Sequence, residues 1–234
     1  MRITLMVLFL AVLAAVPARA DNSPEAWLIP FAAAYQPSVS GFNAKFAANG
    51  LPEARSRHFG WGLELRSLTG SFLVGPMFFK TQDDVESDAY QLRTDATGIF
   101  GEVGVKLAPA SFLTIVPLLG LGGLSQSFGL REKTGSVGFD SLFGNAPENV
   151  SLTPGMRIAG MGALELGLVA TTAAGRFGIA LRGGYLYSPF NPVWRLANGA
   201  EVTDAPDMHL GGPFFSVGLL LMPAAQAATT TTTP

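Results

Sequence analysis

The stretch TTAAGRFGIALRGGYLYS, residues 171–188, alternates with a period of two. Taken from Phe177, every second position reads Phe177, Ile179, Leu181, Gly183, Tyr185, Tyr187, while the intervening register reads Arg176, Gly178, Ala180, Arg182, Gly184. Such alternation marks a β-strand. The second face decides what kind of strand it is, because a water-facing surface wants Lys, Glu, Thr and Ser, and this face offers glycine, alanine and two arginines.

The theme recurs along the chain. Tight connections lie at SLTG (67–70), APA (108–110) and TTAAG (171–175), followed at a common offset by Ser71-Phe72, Ser111-Phe112 and Arg176-Phe177. That offset predicts three hairpins with one register. Strands are expected at 57–66 and 71–80, 95–107 and 111–128, 155–170 and 176–188, with a first strand at 26–36 and a last at 210–222. Long connections at 37–56, 81–94, 129–154 and 189–209 then fall at the opposite end from the short turns. Eight strands in this arrangement predict an all-β fold, an eight-stranded antiparallel up-and-down barrel whose first strand closes on its last.

Two further strands repeat the pattern of faces. One face reads Ala96, Gly98, Phe100, Glu102, Gly104, Lys106, and in the later strand Arg157, Ala159, Met161, Ala163, Glu165, Gly167. These small residues suit the narrow interior of an eight-stranded barrel. The opposite faces carry Phe59, Trp61, Leu63, Leu65; Ile99, Val103, Val105, Leu107; Leu113, Ile115, Leu119, Leu121; Leu164, Leu166, Leu168; and Phe215, Val217, Leu219, Leu221. In water that ring would far exceed the apolar patch a soluble monomer tolerates. Lipid is its natural solvent, and backbone groups in hydrocarbon require a closed sheet. Phe72, Phe112 and Phe177 are expected as an aromatic girdle at the short-turn rim. Trp61, Tyr185 and Tyr187, with Tyr35, Phe59 and Phe78, are expected at the long-loop rim.

Composition narrows the function. The 234 residues are 48% hydrophobic and 14% charged, with a formal net charge of -2, which removes the basic footprint of nucleic-acid binding. No cysteine is present, so neither a disulfide framework nor a thiolate metal site exists. The leader MRITLMVLFLAVLAAVPARA has a cation at Arg2, an apolar run from Ile3 to Val16 and small residues at Ala18 and Ala20. It reads as a signal peptide over 1–20, because the apolar run is shorter than the roughly 20 residues of a spanning helix. Residues 21–222 are then the barrel, and 223–234 a low-complexity, disordered tail.

Across residues 26–222 the chain resembles the small eight-stranded outer-membrane barrels of the OmpA and OmpX type. The resemblance is architectural. It implies a bacterial outer membrane, short periplasmic turns and long extracellular loops. The last strand departs from the family in ending on Leu221 where an aromatic residue is usual, and Pro76, Pro117 and Pro213 fall inside expected strands, where each removes a ladder bond unless placed at a bulge or rim.

Within the bore, Glu165 and Arg182 fall opposite each other across the 171–175 turn, near mid-depth, and are expected to pair. Glu64, Arg66, Glu102, Lys106 and Arg157 are expected as further inward members of this network. Structural neutralisation is the favoured reading and a plug or gate the alternative. An eight-stranded bore filled with side chains is too narrow for a general porin.

No catalytic, metal or cofactor site emerges. His58 with Asp84 and Ser87 could be drawn as a lipid A acyltransferase-like set, but the expected place of His58 and His209 is a solvated outer rim. The acidic stretch Asp83–Asp88 reads as a solvated loop rather than a cation site. Phe42, Phe46, Phe139, Leu142, Phe143 and Trp194 give the loops apolar residues that could fold over the mouth. The expected role is structural or in surface interaction, by a monomer in contact with outer-membrane lipids and, through its loops, with lipopolysaccharide or an extracellular partner. A lipid-modifying enzyme and a narrow channel are the alternatives.

Overall fold

An alternating strand exposes unpaired N–H and C=O groups at its edges, and this chain removes those edges by closing its sheet. The computed structural model describes residues 25–133, 149–172, 175–203, 205–206 and 210–223. Eight long strands form the wall: β1 (Glu25–Tyr35), β2 (His58–Thr69), β3 (Phe72–Glu86), β4 (Tyr90–Val105), β6 (Leu113–Glu132), β8 (Arg157–Thr172), β9 (Gly175–Tyr187) and β11 (Gly211–Pro223). Three short strands accompany them: β5 (Leu107–Ala110), β7 (Asn149–Thr153) and β10 (Arg195–Leu196). Pairing runs antiparallel through β4–β3–β2–β1–β11–β9–β8, and β6 joins β8 to β4. The first and last strands meet, with Leu28 opposite Leu221 and Tyr35 opposite Phe214. The fold is thus a closed, eight-stranded antiparallel barrel.

Orientation follows the alternation. Leu164, Leu166 and Leu168 are 51, 44 and 53% exposed, while Glu165 and Arg182 between and opposite them are 1 and 4% exposed. Phe177, Ile179 and Leu181 on β9, and Phe215, Val217 and Leu219 on β11, also face outward. The apolar belt therefore surrounds the barrel, and the charges lie inside it.

Several expectations need correction. The stretch 81–94 is mostly strand: Asp83 opposes Thr94 and Glu86 opposes Gln91, so β3 and β4 rise well past the belt and only residues 87–89 form the turn. The acidic stretch is consequently the top of β3 and its turn, not a long loop. The connection 37–56 contains a helix, α1 (Ser40–Ala48). The first tight turn is centred on Gly70 and Ser71, where Gly70 takes φ 62°, a left-handed conformation that favours glycine. The second is Ser111-Phe112 itself, so the hairpins do not share one offset; the centre of the third, 173–174, lies outside the described residues. The proposed leader, most of the tail, Phe139, Leu142, Phe143 and His209 also lie outside them.

Two side-chain placements also differ. Val105 was expected outside and is fully buried, because the alternation breaks where β4 ends and β5 begins. Tyr35 was expected at the outer girdle and points inward, 1% exposed, in register with Trp27, Ile29 and Phe31. The bore is therefore not lined by small residues alone. Phe79, Phe100, Phe128 and Phe214 fill it as well.

The prolines sit where pairing lapses. Between Glu64↔Met77 and Ser67↔Val74 the β2–β3 pairing lapses without a change of register, and Gly75-Pro76 occupies the gap. A Cβ on Gly75 would stand 1.8 Å from the Leu65 carbonyl oxygen, so this close approach requires glycine. Pro117 lies between the part of β6 paired to β5 and the part paired to β4. Pro213 is one residue beyond the β1–β11 pairing, where its carbonyl accepts from Gln36 N at 2.9 Å.

This orientation predicts that Leu166→Arg, in the middle of the belt, lowers bilayer-folded stability by about 2–4 kcal/mol, whereas Thr172→Arg at the short-turn rim costs about 0–1 kcal/mol. Urea titration of heat-modifiable mobility in lipid vesicles measures both.

Candidate functional site

The inward positions at mid-depth carry the chain's buried charges. Glu64 and Arg66 stand two residues apart on β2 and so share its inner face. Glu102 projects from β4, while Glu165 of β8 and Arg182 of β9 are Cα partners. Four strands around the wall thereby bring five ionisable side chains together, all with 4% exposure or less.

Arg182 is the hub. Its Nε and Nη2 donate to Glu165 Oε2 at 3.3 and 2.9 Å, its Nη1 donates to Glu102 Oε1 at 3.0 Å and to Met77 Sδ at 3.1 Å, and Nη2 also donates to Glu64 Oε2. All five N–H positions of the guanidinium can be accounted for in this way. Arg66 supplies a second fork, from Nη1 and Nη2 to the two oxygens of Glu165 at 2.7 and 2.6 Å, and its Nε donates to Glu64 Oε1. Bidentate pairing of this type is the strongest geometry an ion pair has. Three carboxyls thus share two guanidiniums.

Apolar layers lie on both sides of the charges. Toward the short turns, Trp27, Ile29, Leu68, Leu73, Val116, Leu118, Val169 and Leu220 make one buried cluster. Toward the long loops, α1 lowers Phe42 and Phe46 into the mouth. Phe42 stacks on Phe128 at 4.5 Å between ring centroids and meets Trp194 edge-on at 4.6 Å. Their spacing of four puts both phenylalanines on one helix face, a signal that the sequence carried. Asn43 clamps the connection by donating to Ala54 O at 2.8 Å and accepting from Ala54 N at 2.9 Å. Arg55 then reaches Asp83 of β3 at 3.1 Å.

Lys106 and Arg157 do not join the ionic layer. Lys106 follows the break in alternation and places Nζ 5.4 Å from the centroid of the Trp27 ring, a cation–π contact near the short-turn end. Arg157 stands opposite Leu124, at the long-loop side of the layer, and its Nε has no hydrogen-bond partner among the described residues. The girdle residues divide by height. Phe72, Phe112 and Phe177 are exposed at the short-turn end, and Trp61, Tyr185 and Tyr187 are exposed toward the long loops, with Trp61 against Phe78 at 5.6 Å.

His58 is fully buried rather than solvated, because it begins the inward register of β2 beneath the 37–57 connection. Its Nε2 lies 3.1 Å from Arg55 O. Asp84 faces outward and accepts from Gln82 Nε2 at 2.8 Å, and the Ser87 hydroxyl is used within its own turn by Tyr90. The set His58, Asp84 and Ser87 is therefore not assembled. What sequence reasoning missed was the uncharged polar content of the outer bore, including Thr81 and Gln126, which single inward positions in a strand do not announce.

No protein-family model and no curated protein sequence matches the chain. Solved structures do match. A major outer membrane protein from Thermus thermophilus aligns with a TM-score of 0.51 at 9% identity, covering 85% of this chain and 100% of that one. Neisserial surface protein A aligns at 0.45 with 10% identity over 85% and 98% of the two chains. The attachment invasion locus protein Ail of Yersinia pestis aligns at 0.44 with 15% identity over 86% and 99%. At such identities the likeness is one of fold.

Removing the hub leaves buried Glu102 without a charged donor and Glu64 and Glu165 on Arg66 alone, so Arg182→Met should lower stability by about 3–5 kcal/mol in urea titration. The double variant Glu165→Arg with Arg182→Glu should not recover that loss. The introduced guanidinium would face Arg66, and the introduced carboxylate would face Glu64 and Glu102. A simple two-residue pair would recover it. With its closed wall, apolar belt and filled bore, the chain has the fold of the small outer-membrane β-barrels.

Proposed function

We propose that this chain is exported to a bacterial outer membrane and serves there as a closed, non-enzymatic barrel with a structural or surface-interaction role. The observation that carries this reading is the sequence of layers across the bore: aromatic side chains beneath α1, the five-charge layer, and the apolar cluster of Trp27, Leu68, Leu73, Val116, Leu118 and Leu220. A water path would have to pass all three. Every guanidinium nitrogen in the middle layer donates to another side chain, and every carboxyl oxygen except Glu102 Oε2 accepts from one, which favours neutralisation over conduction.

The rising part of β3, β4 and β6, joined by β7 and β10, carries exposed charged residues on its outer face, including Asp84, Arg93 and Arg131. This is the surface through which lipopolysaccharide or an extracellular partner would be met. Outer-membrane lipids contact the belt, and the functional unit is a monomer.

Three measurements test the proposal. Cell fractionation should place the protein in outer-membrane extracts as a heat-modifiable band, and a soluble periplasmic monomer would contradict it. Planar bilayers containing the purified protein should show no discrete conductance steps; reproducible unitary steps would establish the narrow-channel alternative instead. His58→Ala should leave the acyl pattern of lipid A unchanged, and a changed pattern would restore the enzyme reading.

A further inference from the structure

Three carboxyls meet two guanidiniums in the ionic layer, so the cluster carries one formal negative charge more than it can neutralise. The carboxyls are not equally supplied with donors. Glu165 accepts from Arg66 Nη1 and Nη2 and from Arg182 Nε and Nη2, four contacts in all. Glu64 accepts from Arg66 Nε on one oxygen and from Arg182 Nη2 on the other. Glu102 accepts one N–H, from Arg182 Nη1 onto Oε1, and its buried Oε2 has no donor among the described residues. Glu64 and Glu102 accept from the two Nη atoms of the same Arg182 guanidinium, which makes their carboxyl groups neighbours at one end of that fork. Two carboxylates have only acceptors to offer each other, so neighbours of this kind repel unless a hydrogen lies between them.

We propose that the ionic layer is a proton-binding site, with one proton resident on Glu102 Oε2 and donated to Glu64. The proton makes the cluster electrically neutral, gives the spare oxygen of Glu102 a partner, and turns a repulsive approach of two buried anions into a hydrogen bond. The charged groups that share this cluster with Glu102 among the described residues are Glu64 and Arg66 from β2, Glu165 from β8 and Arg182 from β9; β3 contributes the uncharged Met77. Arg182 is already bonded to Glu102, Glu64 and Glu165 together, so among the described residues no further cation is paired at this level to neutralise the third carboxyl. The inference rests on the closed-bore reading, since a hydrated lumen would solvate Oε2 directly.

Infrared spectroscopy of the full chain in lipid vesicles, at about pH 7 where exposed carboxyls are ionised, reads the proton as the C=O stretch of a carboxylic acid. The wild type should show this band and Glu102→Gln should lack it. The same substitution keeps a carbonyl oxygen for Arg182 Nη1 and is uncharged like the acid it replaces, so its thermal transition should stay near that of the wild type, whereas Glu165→Gln should lower the transition clearly. An absent band in the wild type overturns the proposal, as does a band that persists in Glu102→Gln or a thermal loss for Glu102→Gln as large as that for Glu165→Gln. The wild-type spectrum decides even if a variant does not fold. Bilayer conductance separates the two readings: a silent barrel without the band removes the proton alone, and a conducting barrel removes the closed bore.

Discussion

Burying a guanidinium in the middle of a barrel is tolerable only when every one of its N–H groups has somewhere to go, and Arg182 meets that condition by engaging three carboxyls and a thioether. The penalty for desolvating an ion amounts to several kcal/mol, repaid only by good geometry and full hydrogen bonding. That requirement fixes more than one residue. Glu64 and Arg66 of β2, Glu102 of β4, and Glu165 of β8 must all reach one level of the bore, so the relative heights of four strands are tied to a single point. A slip of one residue in any of them would turn its charge out toward the belt.

The rest of the interior is arranged around that level. Charges in a narrow, apolar enclosure interact strongly because water is excluded, and the layers above and below the cluster do the excluding. On the short-turn side this is ordinary aliphatic packing with Trp27. Toward the long loops the chain supplies α1, whose Phe42 and Phe46 join Phe128 and Trp194. Asn43 and Arg55 fasten the connection at both ends of its path back to β2. Outside the wall the same alternation leaves Leu164, Ile179, Val217 and their neighbours to the solvent that suits them, which is hydrocarbon.

Much of the barrel was legible in the period-two pattern, because each face meets one environment and a misplaced residue would be costly. The eight wall strands, the outward leucines of β8 and the opposition of Glu165 to Arg182 all follow from that rule. It failed where the rule itself lapses. Val105 turns inward at the end of β4, a local break that no residue type announces. Tyr35 looked like a girdle residue because tyrosine suits membrane rims, yet its register with Phe31 sends it inward. The strands above the belt no longer separate oil from interior, so the acidic top of β3 resembled a loop. Contacts across the bore were also beyond reach: adjacent strands predict neighbours such as Glu165 and Arg182, but nothing in the spacing of Arg66 and Glu165, 99 residues apart, says that they form a bidentate pair.

The central claim, that the wall separates a lipid-facing belt from a closed and charged interior, can be read from the three tryptophans. Trp61 is 60% exposed on the belt, whereas Trp27 and Trp194 are 1 and 2% exposed within the bore and its mouth. In single-tryptophan variants folded into vesicles with brominated acyl chains, fluorescence of Trp61 should be strongly quenched while that of Trp27 and Trp194 stays near its level in unbrominated lipid. Strong quenching of Trp27 together with an unquenched Trp61 would contradict the assignment of faces and the account built on it.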